Sequence, residues 1–217
     1  MKEDPDKEEQ GQRIESQMLN RKRRTSTLEF AGGKQGEFYV RGAVCWPVRV
    51  QDHSEGFILL GAQNVRDKKL YVFEQTPYRA IDHIMGHDRD GCTVIQWKGI
   101  SSWLNEMWKS YFCSHFYYDQ GDAVHRLYKN QVTRSEMIKP KPTFRKVWTK
   151  DDAGDSVMWG WLDAERLVIG EGSAVQHALQ EYKVRPPGSV IPAVQALMCL
   201  LAGIERYPWR WESADYG

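Results

Sequence analysis

The chain lacks any apolar run long enough to cross a bilayer. It also lacks a net charge of either sign, with 30 Lys and Arg against 29 Asp and Glu and a pI near 7.7. No global field therefore draws it to nucleic acid or to a membrane, and any electrostatic partner must be met by local patches. Cysteine is scarce: Cys45, Cys92, Cys113 and Cys199 are the only four in 217 residues and lie far apart. The opening "MKEDPDKEEQGQRIE" is acidic and polar where a secretory signal would be basic and apolar. Both features predict reduced thiols and a cytoplasmic or nuclear setting, not a disulfide framework. No internal repeat runs along the chain.

What remains is a globular composition, 41% hydrophobic and 27% charged, long enough for one sizeable core. Nine Trp, ten Tyr and seven Phe supply large buried areas and contact surfaces. Residues 1–36 read as a disordered arm, because their first twenty hold six acids, three bases and few apolar side chains. Within it, Arg21, Lys22, Arg23 and Arg24 form a basic run suited to nuclear import, to nucleic acid or to a basophilic kinase at Ser26.

From residue 37 onward the pattern predicts a single α+β domain to residue 217, a mixed or antiparallel sheet packed by amphipathic helices. "FYVRGAVCWPVRV" reads as a strand interrupted near Pro47, and "GFILLGA" with "KLYVFEQ" as a hairpin. "TPYRAIDHIMG" reads as a helix with Thr76 as its cap and Gly86 as its stop. "CTVIQWK" reads as a strand and "SSWLNEMWKSYF" as the clearest helix, followed by a short strand at "HFYYD" and a short helix at "DAVHRLYKNQV". "KPKPTFRKVWTK" must begin extended. "SVMWGW" and "ERLVIG" suggest a hairpin, and "GEGS" a turn ending in an N-cap at Ser173. "SAVQHALQEYK" is an amphipathic helix. "VIPAVQALMCLLAGI" is apolar almost all round, so it is either the central buried helix or a helix that takes a protein partner.

Three patterns carry chemistry. The first is a metal set: His87 and Cys92, then Cys113 and His115, make two close pairs of nitrogen and sulfur ligands joined by a longer loop, as tetrahedral zinc requires. Their order resembles the zinc element of lentiviral infectivity factors over these two short patches. The resemblance implies a zinc-organised middle and a partner-binding apolar helix, although the Ser-Leu-Gln opening of that family's helix is absent here. The second is "VIQWK", which resembles the Gln-x-Lys variant of restriction-type nucleases. It implies Mg²⁺ held by an acid, best Glu74, together with Gln96, and a water activated by Lys98.

The third is a basic and aromatic segment, 126–150. Arg126, Lys129, Arg134, Lys139, Lys141, Arg145, Lys146 and Lys150 face only Glu136 there, with Tyr128, Phe144 and Trp148 interleaved. Bases neutralise phosphates and aromatic rings stack on unpaired nucleobases. Six acids follow in 151–172, so charge is segregated along a neutral chain. These features predict a non-enzymatic regulatory or accessory protein, of the kind viruses and mobile elements encode, that binds nucleic acid or an acidic protein surface through 126–150 and the Arg21–Arg24 run. The alternatives are the metal-dependent nuclease and a self-associating matrix or structural protein.

Overall fold

The structure, a computed structural model, describes residues 14–20, 25–30, 34–50, 53–79, 84–87, 93–96, 107, 109–113, 115–119, 143–147, 149, 153–184 and 190–208. Its strands are β1 (Ile14–Asn20), β2 (Thr25–Phe30), β3 (Lys34–Val50), β4 (His53–Asn64), β5 (Leu70–Arg79), β6 (Ile84–His87), β7 (Thr93–Gln96), β8 (His115–Asp119), β9 (Thr143–Val147) and β10 (Leu167–Ile169). Its helices are α1 (Ala153–Asp163), α2 (Ala174–Tyr182) and α3 (Pro192–Arg206). The fold is α+β, with an eight-stranded mixed sheet and a separate β6–β7 pair.

Strands β1 to β5 form an antiparallel meander. Parallel additions complete the sheet: β8 on β3, β9 on β8, and β10 on β5. The long β3 makes this branching work, because β2 pairs its residues 34–38 while β8 pairs Gly42 and Ala43. Alternation then sends side chains into two cores. Phe38, Val40, Val44, Ile58, Leu60, Ala62, Tyr71 and Phe116 enter one, where Phe30 stacks on Tyr71 and meets Phe38 edge-on. Ala43, Cys45, Phe57, Leu59, Leu70, Val72, Tyr117 and Val147 enter the other, beneath the three helices. Burial on both faces explains why "GFILLGA" is continuously apolar.

Helix α3 lies at the centre of the helical layer, packed on β3, β4, β8 and β9 as well as on α1 and α2. Of the two roles open to "VIPAVQALMCLLAGI", the structure shows the buried one: Leu197, Leu200 and Leu201 are fully enclosed, so this apolar surface is spent within the chain. Its close approach rests on glycine. A Cβ on Gly203 would fall 2.2 Å from the Tyr117 ring, and one on Gly61 would fall 2.8 Å from Leu200. No described helix is long and apolar enough to cross a membrane.

Several expectations hold. The interruption near Pro47 is a register shift between Cys45 and Val48. The β4–β5 hairpin, the strands at 93–96 and 115–119, and the Ser173 cap are present, Ser173 Oγ accepting from the Gln176 N–H at 3.3 Å, while residues 143–147, within the segment expected only to begin extended, form a strand. Residues 107 and 109–111 are helical, while "DAVHRLYKNQV" lies outside the described residues.

Others are corrected. Residues 1–13 of the arm lie outside the described residues, but 14–20 and 25–30 are paired strands. Leu28 and Phe30 are fully buried, and Ser26 Oγ donates to the Tyr111 carbonyl at 2.7 Å, closing the end of the helical segment before it. Strand β1 pairs Asn20 with Thr25, so the residues on either side of the basic run are paired, while Arg21–Arg24 themselves lie outside the described residues. No helix starts at Thr76, because β4 supplies a ladder for residues up to Arg79. Pro77 stands within that ladder opposite Phe57, and among the described residues β10 borders β5 only at residues 70–72. Residues 153–163 form a helix and not half of a hairpin. Gly154, Met158 and Trp161 are buried at spacings of four and three, a helical stripe that the local Trp-Gly-Trp alternation conceals.

Candidate functional site

A charged residue in the middle of an apolar strand starts the site. Arg41 lies on β3 between Val40 and Gly42, and parity turns it toward the helical layer with Ala43 and Cys45. It is only 3% exposed. Strand β8 runs alongside β3 and strand β9 alongside β8, with Tyr117 directly opposite Arg145. Arg41, Tyr117 and Arg145 therefore come from three consecutive strands onto one face.

The C-terminal end of α3 closes over them. One Arg41 Nη donates to Tyr117 Oη at 2.8 Å and to the Tyr207 carbonyl at 2.7 Å. That carbonyl belongs to the negative end of α3, a favourable place for a buried cation. The Tyr207 ring lies parallel to the Tyr117 ring, 6.2 Å between centroids. The Arg145 guanidinium sits 4.8 Å from the Tyr207 ring centroid, and that of Arg206 sits 5.7 Å from it. Three guanidiniums thus surround two stacked tyrosines, graded from buried Arg41 through half-buried Arg145 to exposed Arg206.

The electrostatics follow from this crowding. Burial lowers the pKa of Arg41 from its ordinary value, and Arg145 pushes it the same way. Burial also pushes the Tyr117 phenol up to about 12, against the pull of Arg41. The Nε of Arg145 is buried without an acceptor. An unmet buried donor of this kind costs about 1–3 kcal/mol. Among the described residues, Arg145 makes no ion pair; the nearby Glu205 is instead engaged by Trp161 Nε1 at 2.8 Å and by Arg166 at 3.7 Å. The arrangement is suited to holding an anion.

No family model matches the chain, and no curated protein matches it. The functional reading therefore rests on the residues themselves.

The sequence-predicted groups distribute unevenly over this frame. Of the basic segment, Arg145 and Lys146 are described, on β9; Lys146 is exposed and Arg145 joins the cluster. Arg126, Lys129, Arg134, Lys139, Lys141, Trp148 and Lys150 lie outside the described residues, as do Arg21, Lys22, Arg23 and Arg24. Strand β9 pairs only β8 among the described residues, so it is a margin of the sheet.

Of the metal set, His87, Cys113 and His115 are described. His87 ends β6, and Cys92 lies outside the described residues in the connection to β7. Cys113 is fully buried in the core opposite the helices, and its thiol donates to the His115 carbonyl at 3.7 Å. Burial pushes that thiol up. The His115 ring stacks on Tyr117 of the helix-side core instead. Among the described residues, no three His, Cys, Asp or Glu side chains gather. For the nuclease set, Glu74 lies on β5 of the large sheet and Gln96 on β7 of the two-stranded one, so they do not occupy adjacent strands; Lys98 lies outside the described residues.

Sequence reasoning missed Arg41, Tyr117, Arg206 and Tyr207. One signal was available: a lone arginine at a core-facing position of an otherwise apolar strand is costly unless it serves a site or a partner. Sequence reasoning also missed a polar node at the other end of α3. There Gln195 Nε2 donates to Asp119 Oδ2 at 2.9 Å and to Thr149 Oγ1 at 2.6 Å, and Thr149 donates to Asp119. This node ties the ends of β8 and β9 to the first turn of α3.

Proposed function

We propose that the protein is a non-enzymatic accessory protein that binds nucleic acid along the basic segment 126–150, with the Arg21–Arg24 connection as a second contact. One observation carries this. Segment 126–150 ends in a strand at the sheet margin, and among the described residues neither Arg145 nor Lys146 is neutralised by the acids of 151–172. Of the described acids there, Asp155 accepts from Tyr182 Oη at 2.8 Å, and Asp163, Glu165 and Glu171 are exposed. The charge of Arg145 and Lys146 is therefore left over for a partner, and Phe144 and Trp148 stand beside them in sequence, residue types whose rings stack on unpaired bases.

The test is binding to a labelled single-stranded oligonucleotide across a salt series. Counterion release predicts a linear fall of log affinity with log salt, about −0.7 for each phosphate neutralised on a single strand. Reversal of Lys139, Lys141, Arg145 and Lys146 to Glu should abolish binding. Affinity that ignores salt, or survives the reversal, refutes the proposal.

A further inference from the structure

We infer that Arg145, Arg206 and the Tyr207 ring form a discrete site for one phosphate group, with Arg41 as a fixed charge behind it. This goes beyond the segment-wide contact proposed above, since it predicts a stoichiometric anion site in the folded protein.

Four features converge. Arg145 and Arg206 approach the same Tyr207 ring, from 4.8 and 5.7 Å, so both guanidiniums border one aromatic ring at the end of α3. Arg145 keeps a buried Nε donor without an acceptor, and no described carboxylate pairs with it or with Arg206. Arg41 cannot leave: it is held by Tyr117 Oη and the Tyr207 carbonyl, and it adds positive potential from inside. Exposure rises from Arg41 to Arg206, which gives an anion a route in from solvent. An oxyanion with several acceptor oxygens meets all these requirements at once; a tetrahedral phosphate takes charge-assisted bonds from two planar guanidiniums better than a chloride does.

The tyrosines set the site's shape. Tyr207 is pinned on one side by its parallel stack with Tyr117, which is itself held by Arg41. The ring then acts as a platform that keeps Arg145 extended over it. Two guanidiniums held before the ligand arrives reduce the ordering cost of binding.

The experiment uses the full chain and inorganic phosphate, with ionic strength held constant by chloride. Phosphate at ten times its dissociation constant should raise the melting temperature by about 3–6 °C, and the rise should saturate. Arg145→Gln and Arg206→Gln should each weaken phosphate binding at least tenfold. Arg66→Gln, an exposed arginine in the β4–β5 turn, should leave it within about twofold. A structural role is separated by the phosphate-free melt: Arg145→Gln removes an unmet buried donor and a like charge, so it should not lower that melting temperature. No saturable shift in the parent protein, or equal loss from Arg66→Gln, overturns the site.

An oligonucleotide arm identifies the source of the phosphate. Competition between oligonucleotide and phosphate makes the site part of the nucleic-acid interface. Oligonucleotide binding that leaves phosphate affinity unchanged assigns the site to a separate phosphorylated ligand. Phosphate binding without any oligonucleotide binding retains the site and refutes the nucleic-acid proposal.

Discussion

The same substitution should have opposite signs at two glycines of the helical layer. Gly203 lies within α3, and a Cβ there would fall 2.2 Å from Tyr117 Cγ and 2.4 Å from both Cδ atoms. Gly160 lies in α1, is exposed, and a Cβ there meets nothing within 4 Å. Alanine gains about 1 kcal/mol of helix propensity over glycine in either place. At Gly160 that gain stands alone, so Gly160→Ala should stabilise by about 0.5–1 kcal/mol. At Gly203 it is opposed by overpacking, commonly about 1–3 kcal/mol. Three ring atoms are affected and the ring is fully buried, so the opposing effect should lie at or above the top of that range. Gly203→Ala should therefore lose about 2 kcal/mol or more net. Each kcal/mol corresponds to about 2–4 °C in a chain of this size. Urea denaturation followed by far-ultraviolet circular dichroism measures both variants, the midpoint moving at constant slope. Gly203→Ala has a second consequence: it displaces the acceptor of Arg41, so phosphate affinity should fall as well. Stabilisation at both positions would refute the close α3–β8 packing.

Tyr117 gives a prediction in pH. An unfolded tyrosine ionises near 10, whereas burial holds Tyr117 at about 12. Between those values the unfolded chain has lost a proton that the folded chain keeps. Its contribution to stability is therefore full below about pH 10 and is lost as pH rises through about 12. Ultraviolet titration of phenolate should show Tyr117→Phe removing a late-ionising group; removal of an early one counts against its burial. Ser173→Ala removes the acceptor of the Gln176 N–H and should cost about 1 kcal/mol in the urea assay, and an unchanged midpoint would show that the cap contributes nothing.

The parts of the fold legible in sequence are those where period and punctuation agree. The β4–β5 hairpin shows apolar runs on either side of a polar turn, in which Asn64 Oδ1 accepts from the N–H groups of Arg66 and Asp67. Helix α2 shows both an N-cap and a buried stripe of Val175, Ala178 and Leu179. The failures arise where a strong local signal loses to a tertiary one. Thr76-Pro77 is a good helix start, but the β4 ladder claims it. "TSTLEF" is short and lies between four bases and a glycine-rich stretch, so composition hides the alternation of Ser26, Leu28 and Phe30. The site was half legible. The charge of Arg145 is plain in sequence, but its association with Arg41 and Tyr207 depends on parallel pairings between distant residues, which no local pattern encodes.

Those distant pairings also govern how the chain is made. The β1–β5 meander is built from neighbouring residues, so it can pair as it emerges from synthesis. Gly42 must wait for Phe116, Leu70 for Leu167, and the face of β3, β4 and β5 for α3, the last element described. Until then the nascent sheet carries open edges and an uncovered apolar side. A chain stopped before Pro192 would keep most of its strands and lack the helix that covers them, so truncation there should yield an aggregating product instead of a smaller folded one.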